Sequence, residues 1–321
     1  DSGVFRSVDN GVIWEHTVAY PTPQGVGAIS TVDLVDLIPD PSDHLTIYAS
    51  TFEKGILITY DGGVSWESPQ AKVMQTGTIR DINVDPNDVC TVFVVKASQL
   101  TKTETCNRGY TSVYTETRPD VIPTRVRVDW CNSNNIYLGL SNGDSLKSID
   151  KGNNWSKIGS VGSLVTNIFM SETDSRILLV GTNRGGIFRS TDSGKNWEQL
   201  DEELKAFSGT DAIYNIVQTE DGGVILLSSR YGILKSTDTG ATWESISLVT
   251  APGEVRILAV AIDPVDPNII YYATDSTFYQ SEDGGETWRT ARLPSTRAAS
   301  ALLIDKEEPN ILYLGMQTIT N

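Results

Sequence analysis

Charged and polar side chains occupy one equivalent position in successive repeats of this sequence. Aligned on the first strand of each repeat, this position, the polar column, is Asp36, then Asp81, then Arg125. Two facing carboxylates can serve as acid and base in glycoside hydrolysis, whereas an arginine can bind a ligand carboxylate or simply neutralise Asp81. Two interpretations stay open: a ligand site, or a channel filled by paired charges and water. Later repeats place polar and then small residues in the column: Asn167, Asn215, Ala259 and Ala301.

A second set of candidates directly precedes the polar column or lies in loops on the same side. Guanidinium and ammonium groups bind carboxylates, and tyrosine combines apolar area with a hydroxyl. On an acidic chain such residues are consistent with a local contact patch. The alternative interpretation is that they are ordinary solvated surface groups. Like the polar column, they are predicted to bind a ligand or partner, and no residue is assigned a catalytic role. These candidates are Arg80, Tyr214, Lys54, Arg184, Arg230 and Tyr231.

The three cysteines, Cys90, Cys106 and Cys131, bear on redox environment and metal chemistry. Cys90 and Cys106 fall at the same end of one predicted repeat, on neighbouring strands. A Cys90–Cys106 disulfide is therefore expected, with Cys131 left free, and it implies an oxidising compartment. The short spacings of zinc ligands are missing, and the sequence has two histidines, His16 and His44. No metal and no cofactor are expected.

A repeated octapeptide, Ser/Thr-x-Asp-x-Gly-x-x-Trp, positions these candidates and occurs six times. Its aspartate is expected to accept backbone N–H groups in a tight turn, its glycine to supply a positive φ, and its tryptophan to bury a ring between neighbouring repeats. The octapeptide is therefore interpreted as scaffold rather than active site. Its aspartates are Asp9, Asp61, Asp150, Asp192, Asp238 and Asp283. Its tryptophans are Trp14, Trp66, Trp155, Trp197, Trp243 and Trp288.

A seventh, degenerate copy completes the series. The last three steps between aspartates are 42, 46 and 45 residues, whereas Asp61 and Asp150 are 89 apart. The segment Thr103–Tyr110 fills this gap, with a hydroxyl residue first and an aromatic residue last. Seven strand pairs around Asp-Pro or Asn-rich turns accompany the copies, so that each repeat holds four short strands, A to D. This pattern predicts an all-β, seven-bladed β-propeller of four-stranded antiparallel blades.

The two ends of the chain complement each other. The N-terminal segment supplies strands C and D of a blade, and the C-terminal segment supplies strands A and B. The last blade is therefore expected to close from both ends and remove exposed sheet edges. Residues 1–321 are predicted to form a single domain, with blades at about 30–70, 77–116, 122–159, 163–200, 208–247, 254–292, and 297–321 plus 1–20. The longest D–A loops are His16–Ser30 and Glu198–Asp211, and one short helical turn is expected at Asp201–Phe207.

Net charge, the lack of long apolar runs and the first residue bear on which partners and which compartment are expected. A net charge of −16 and an isoelectric point near 4.5 argue against a nucleic-acid partner. No run of about 20 apolar residues is present, so no transmembrane segment is expected. The chain starts at Asp1 without Met, which suggests a removed leader and leaves room for a lipid anchor before residue 1. An exported protein is expected: periplasmic, cell-surface or extracellular.

The octapeptide resembles the Asp-box, or bacterial-neuraminidase (BNR), repeat, and the resemblance covers nearly the whole chain. Families built from this repeat include sialidases, xyloglucan-cleaving glycosidases, sortilin-type receptors and photosystem II assembly factors. The segment "GIFRSTDSGKNW" is similar to the blades of the xyloglucan-cleaving enzymes. Those enzymes use a cleft between two propellers, however, and the Arg-Ile-Pro motif of sialidases is absent here. The assembly factors share the seven blades and imply a scaffold, although this chain is more acidic than such a role implies.

The sequence as a whole favours a non-catalytic, exported propeller that serves as a protein-binding or assembly scaffold. Its partner is expected to be a protein. The alternative is a glycan-binding protein or a sialidase- or xyloglucanase-like glycoside hydrolase. In either case the site is expected on the face opposite the octapeptides, because every octapeptide residue already has a structural role.

Overall fold

The computed structural model describes residues 2–17, 20–22, 25–27 and 29–318. Regular structure within these ranges is almost entirely β, which confirms the all-β prediction. Helix is limited to α1 (Asp201–Leu204) and the 3-10 turns Ile29–Thr31 and Lys72–Met74. None of these is long and apolar enough to cross a membrane. Residues 18–19, 23–24 and 28 of the loop His16–Ser30, and residues 1 and 319–321 of the expected seventh blade, lie outside the described residues.

Seven antiparallel sheets form the blades of a seven-bladed β-propeller. Blade 7 combines strands from both ends of the chain, as predicted. From the N-terminal side come β1 (Gly3–Ser7) and β2 (Glu15–His16), and from the C-terminal side β28 (Ala298–Ile304) and β29 (Leu312–Gln317). Their order in the sheet is β2-β1-β29-β28, with Phe5 opposite Leu314.

A short hairpin and blade 1 follow β2. The hairpin, β3 (Tyr20–Thr22) with β4 (Gly25–Gly27), lies in the loop His16–Ser30 and was not anticipated. Blade 1 consists of β5 (Leu34–Pro39), β6 (Ile47–Thr51) and β7 (Ile56–Thr59). Its fourth position is held by a single antiparallel bridge, in which Ile58 and Glu67 exchange two backbone hydrogen bonds of 2.8 Å.

Blades 2 to 6 each have four strands that follow one another in chain order, with A and D at the edges. Blade 2 is β8 (Ile79–Asp85), β9 (Asp88–Lys96), β10 (Gln99–Thr103) and β11 (Thr111–Thr115). Blade 3 is β12 (Pro123–Val128), β13 (Ile136–Leu140), β14 (Asp144–Ser148) and β15 (Ser156–Ser160). Blade 4 is β16 (Val165–Met170), β17 (Leu178–Thr182), β18 (Ile187–Ser190) and β19 (Glu198–Gln199). Blade 5 is β20 (Ile213–Gln218), β21 (Ile225–Ser229), β22 (Ile233–Ser236) and β23 (Glu244–Ser245). Blade 6 is β24 (Ala259–Ile262), β25 (Ile270–Ala273), β26 (Thr277–Ser281) and β27 (Arg289–Arg292).

Contacts divide the chain into two compact units, and the prediction of a single domain stays a prediction. The first unit comprises residues 1–116, 275–277 and 291–321. The second comprises residues 117–274 and 278–290.

The core of the second unit lies between neighbouring blades. The B strands β13, β17 and β21 are buried along their whole length. Each is therefore covered on both faces and consists mainly of apolar residues. Small residues in these strands let the next blade approach. A β-carbon added at Gly139 would lie 2.6 Å from Val165, and one added at Gly181 would lie 2.8 Å from Ile213. Any larger residue would therefore force the blades apart.

The octapeptides form hydrogen-bonded turns between strands C and D. In blade 4 the Ser190 hydroxyl donates to Asp192 Oδ1 at 2.9 Å, and the Gly194 N–H donates to Ser190 Oγ at 2.9 Å. Asp192 also accepts the Asn196 backbone N–H at 2.9 Å and its side-chain amide at 2.6 Å. The other five copies share the hydroxyl-to-carboxylate bond at 2.7–2.8 Å: Ser7–Asp9, Thr59–Asp61, Ser148–Asp150, Ser236–Asp238 and Ser281–Asp283.

Octapeptide tryptophans pack against the preceding blade where both blades belong to one unit, as for Trp66, Trp197, Trp243 and Trp288. Trp66 is almost fully buried in the core of the first unit. In the second unit, Trp197 lies so close to strand D of blade 3 that a β-carbon at Gly159 would be 2.9 Å from its ring. The indole N–H of Trp288 donates to the Ser247 carbonyl at 2.7 Å. These rings therefore join consecutive blades.

The degenerate copy keeps the turn backbone of the other six. Cys106 and Asn107 have φ of 47° and 66°, where the blade 4 copy has Ser193 at 63° and Gly194 at 83°. Asparagine tolerates this left-handed conformation better than most residues. The predicted disulfide between Cys90 and Cys106 is present, and Cys131 is an exposed free thiol. The disulfide ties this turn to the start of the neighbouring β9.

Candidate functional site

The polar column coincides with a β-bulge at the start of strand A. In six blades the pairing of strands A and B shifts by one residue directly before the column residue. Blade 6 differs, because β24 begins at the column residue Ala259 itself. Bulges re-aim side chains and are frequent beside functional sites. The extra residues are Val35, Arg80, Thr124, Thr166, Tyr214 and Ser300.

In the first unit, Asp36 and Arg80 are half-buried and their side chains bond to nearby backbone. Asp36 accepts the N–H of Leu37 at 2.8 Å through Oδ1. Arg80 donates to the Ala97 carbonyl at 3.0 Å, and burial lowers the pKa of its guanidinium. Asp81 is half-buried and Lys54 is exposed. Asp81 and Arg125 belong to different compact units, so the neutralisation of one by the other stays a prediction.

In the second unit, most column side chains bond to the protein itself. Arg125 donates to the carbonyl of Thr124 at 2.8 Å. The amide of Asn167 donates to the Tyr214 carbonyl of the next blade at 3.0 Å, and Asn215 accepts the Ile216 N–H at 2.8 Å. Hydrogen bonds of this kind fix the blades, so they leave less of the column available to a ligand.

The loop candidates of the second unit converge around the loop Glu198–Asp211. Arg230 donates to Asp211 Oδ2 at 2.8 Å. Tyr231 packs edge-on against Phe207, with ring centroids 5.2 Å apart. The loop can approach this closely because Gly209 has φ of +111°, and a β-carbon there would lie 2.9 Å from the Tyr231 nitrogen. Leu204 at the end of α1 is buried beneath them and anchors the loop to the core.

Two grooves flank the Phe207–Tyr231 pair. The first has a volume of about 380 Å³ and carries charges of both signs, from Arg184, Asp201, Lys205 and Asp211, with Phe207 in its wall. The second has a volume of about 470 Å³, and all its lining residues are uncharged. Its lining is Tyr231, Gly232, Ser245, Ile246, Ser247, Leu248, Val249, Thr250, Ala251 and Pro252. The Tyr231 surface, as we call it, comprises these two grooves with Arg184, Phe207, Arg230 and Tyr231.

The second groove contains an unused hydrogen-bonding group. The Thr250 hydroxyl is buried and has no hydrogen-bond partner among the described residues. A buried polar group without a partner costs stability, so a ligand atom that reaches this hydroxyl would recover a hydrogen bond. Leu248, Val249 and Pro252 supply apolar contact beside it. The groove can therefore hold a ligand that is mainly apolar with a polar atom near Thr250.

The carboxylates that line the charged groove, and the buried Asp144, lack the properties of a glycosidase acid–base pair. Asp201 and Asp211 both line the first groove, but Asp211 is ion-paired with Arg230 and both carboxylates are exposed. A glycosidase acid is instead kept protonated by an apolar setting. Asp144 is buried between Arg118 at 2.7 Å and Lys157 at 2.5 Å. Hydrogen bonds from Lys157 and Arg118 outweigh burial and hold its pKa well below the usual range.

Sequence reasoning brought three of these residues forward and missed others. Arg184, Arg230 and Tyr231 were candidates, and the structure brings them to one surface. Phe207 and the segment 245–252 were not, although the unusual length of the loop Glu198–Asp211 was a usable indication. Lys54, Asp36, Asp81 and Arg80 belong to the first unit, whereas this surface is formed by residues of the second. Within the described residues, no cluster of His, Cys, Asp and Glu is arranged to hold a metal ion.

Comparison with known families gives one partial match. Residues 161–307 match the family described as photosynthesis system II assembly factor YCF48. This range contains the whole Tyr231 surface. No curated protein matches the chain.

Solved structures with a similar fold include members of two groups. The GH74 enzyme of Niastella koreensis aligns with a TM-score of 0.70 and 13% identity, over 98% of this chain and 53% of its own. A structure of YCF48 bound to D1 peptide aligns with a TM-score of 0.69 and 15% identity, over 97% and 98%. YCF48 from Cyanidioschyzon merolae gives 0.63 and 16%, over 93% and 98%. The chain thus spans about half of the GH74 enzyme. These likenesses show the fold, and they confirm the predicted resemblance to assembly-factor-like and xyloglucanase-like propellers.

Proposed function

We propose that this propeller is a non-catalytic module that binds an extended segment of a partner protein at the Tyr231 surface and so serves as an assembly scaffold. The observation that carries the proposal is the position of the Phe207–Tyr231 pair, between an uncharged groove and a charged one. Aromatic residues and arginine are the side chains enriched at protein interfaces. Here both kinds stand together on half-buried or exposed positions.

The dimensions and chemistry of the two grooves suit an extended peptide rather than a small polar ligand. The aromatic pair can support the peptide backbone while successive side chains point into different grooves. Apolar side chains fit beside Leu248 and Val249, and charged ones fit beside Arg184 or Lys205. The buried Thr250 hydroxyl offers a hydrogen bond to the peptide backbone. Each of these features is supplied by the fold before binding, which reduces the entropic cost of association.

Two further observations support the proposal. The family match covers the Tyr231 surface, and one structurally similar protein, YCF48, is described as bound to a D1 peptide. The Cys90–Cys106 disulfide supports export to an oxidising compartment. The partner of this chain is proposed here only as a protein.

Site-specific photo-crosslinking in the source cells tests the proposal. A benzophenone amino acid replaces Tyr231 in one variant and Ile149, an exposed residue in an octapeptide turn of the same unit, in the control. The Tyr231 variant should capture a discrete protein that the Ile149 variant does not capture. A glycan array and hydrolysis assays on the unmodified protein test the alternative function, a glycoside hydrolase. Glycan turnover, together with no protein captured at position 231, would contradict the scaffold proposal and support that alternative.

A further inference from the structure

The first octapeptide differs from the others at its seventh position. In five copies the side chain there donates to Oδ2 of the octapeptide aspartate at 2.5–2.6 Å: Ser65, Asn154, Asn196, Thr242 and Thr287. In the first copy this residue is Ile13, which gives Asp9 only its backbone N–H, at 2.8 Å to Oδ1. The Ile13 side chain is 63% exposed. The fold therefore gains nothing from the isoleucine and loses a hydrogen bond.

Other apolar side chains are exposed on the same turn and on the next blade. Val8 and Val12 are 55% and 74% exposed, and in blade 1 Leu45 and Val64 are 41% and 55% exposed. We call these four residues, together with Ile13, the apolar turn surface. By contrast, the copies in blades 4 and 6 carry threonine, serine, lysine, asparagine, glycine or glutamate at their variable positions. Isolated exposed apolar residues are ordinary, but a group of them on adjacent turns marks an interaction site.

Hydrogen bonds within the first unit connect the octapeptide turn of blade 7 to the octapeptide turn and the A–B turn of blade 1. The Asn310 amide donates to the Val8 carbonyl at 3.0 Å, and Tyr313 of the same blade donates to the Gly62 carbonyl at 3.0 Å. Gly62 in turn donates to the Leu45 carbonyl at 2.9 Å. Because these bonds link blade 7 to both turns of blade 1, the apolar residues are displayed on a fixed framework. A fixed framework keeps the cost of binding low.

The surrounding charges select the occupant. Asp9 and Glu15 flank the first turn, Asp43 lies two residues before Leu45, and Asp61 lies three residues before Val64. The basic residues beside these turns are half-buried or already engaged: Arg6 is half-buried, Lys306 donates to the Pro41 carbonyl, and His44 is paired with Asp305. A second copy of the chain would bring the same acidic rim against itself, and an anionic membrane would be repelled. The complementary partner is a segment with an apolar centre and a lysine- or arginine-rich rim.

We propose that the apolar turn surface is a second docking site, on the octapeptide side, for a basic amphipathic helix of a partner protein. Amphipathic helices bind by laying their apolar face on such a surface, while their basic rim meets the aspartates. This site shares no residue with the Tyr231 surface and does not depend on the function proposed for it. It accounts for the three apolar residues in the first octapeptide turn.

The test measures binding of a synthetic helix of leucine and lysine, about 18 residues long, by fluorescence anisotropy. The variant V12S/I13T removes two apolar side chains. Its introduced threonine can donate to Asp9 as Thr242 and Thr287 do to their aspartates, so the fold is preserved. We expect the affinity to fall about tenfold, and to fall with salt in the wild type. The control I149T removes an equally exposed isoleucine, 71% exposed, and should leave the affinity unchanged.

Three results would overturn the proposal. One is equal binding of the helix by wild type and V12S/I13T. Another is equal binding of a scrambled peptide of the same composition, which would show that the affinity comes from charge alone and not from the apolar face of the helix. The third is a wild-type dimer, detected by sedimentation, that V12S/I13T abolishes, since the surface would then serve a second copy of the chain.

Discussion

The hydroxyl of Thr105 accepts the backbone N–H of Gly109 at 3.1 Å. In the other six octapeptides an aspartate at the same position accepts the N–H four residues further on, at 2.8–2.9 Å. The degenerate copy has therefore replaced a carboxylate by a hydroxyl without losing the turn. The disulfide at the adjacent Cys106 secures the same segment.

Removing the Thr105 hydroxyl should destabilise the first unit. We expect T105A to lower the free energy of unfolding by about 1 kcal/mol, the usual contribution of one hydrogen bond. T105S keeps the hydroxyl and serves as the control, with little change. Urea denaturation of the three proteins measures the difference. If T105A were as stable as T105S, the hydroxyl would not be the substitute for the carboxylate.

The Cys90–Cys106 disulfide should contribute more than this hydrogen bond. The cysteines are 16 residues apart, and closing a loop of this size stabilises a protein by about 3 kcal/mol. We expect the C90S/C106S variant to unfold at lower urea concentration than the wild type under non-reducing conditions. Adding a reductant should bring the wild type close to the variant. C131S, which removes the exposed thiol, should behave as wild type; an unchanged C90S/C106S would count against a structural disulfide.

The octapeptide aspartates should make stability fall in acid. Hydrogen bonds from the Asn196 backbone and side chain lower the pKa of Asp192 from 3.8 to about 2. A carboxyl whose pKa is lower in the folded state stabilises the protein above pH 3.8, and this contribution is lost as the pH falls towards 2. D192N should therefore lower Tm at pH 7 and flatten its dependence on pH between about 4 and 2. E286Q, at an exposed position of another octapeptide, is the control; matching acid profiles for D192N and wild type would contradict this role.

His44 should give the opposite pH dependence in the neutral range. A hydrogen bond with Asp305, 3.0 Å from its Nδ1, raises the pKa of His44 above 6.5. A histidine whose pKa is higher in the folded state stabilises the protein fully below pH 6.5, and this contribution disappears as the pH rises through the raised value. Tm of the wild type should therefore fall from about pH 6.5 upward, and H44Q should lose that part of the decrease. A steeper decrease in H44Q would show that the sign is wrong.

Much of the fold could be predicted because the sequence repeats itself. Copies of the octapeptide fixed the number of blades, and aligning their strands placed the column at the residue that follows the bulge in six blades. The disulfide followed from the positions of Cys90 and Cys106 on neighbouring strands. In each case the equivalent segments of the other blades show where a strand or turn lies, even where the sequence of one blade alone is ambiguous.

The site could be predicted only in part, because it is built from segments that do not repeat. The contact between Phe207 and Tyr231 depends on the path of the loop Glu198–Asp211 and on Gly209. The uncharged groove depends on residues 245–252, which lead from strand D of blade 5 towards the first strand of blade 6. The hydrogen bond from Asn167 to the Tyr214 carbonyl could not be predicted either. A polar residue in an aligned column can face a ligand or the next blade, and the sequence does not distinguish the two.

The Tyr231 surface is tested most directly by the affinity of the crosslinked partner for charge-reversal variants. Arg184 lines the charged groove and is exposed, so R184E should change the surface without disturbing the core. K195E makes the same change of charge at an exposed octapeptide position of blade 4. We expect R184E to weaken binding about tenfold and K195E to leave it within error of wild type. Equal affinities for R184E and wild type, or a larger loss in K195E, would contradict binding at the Tyr231 surface.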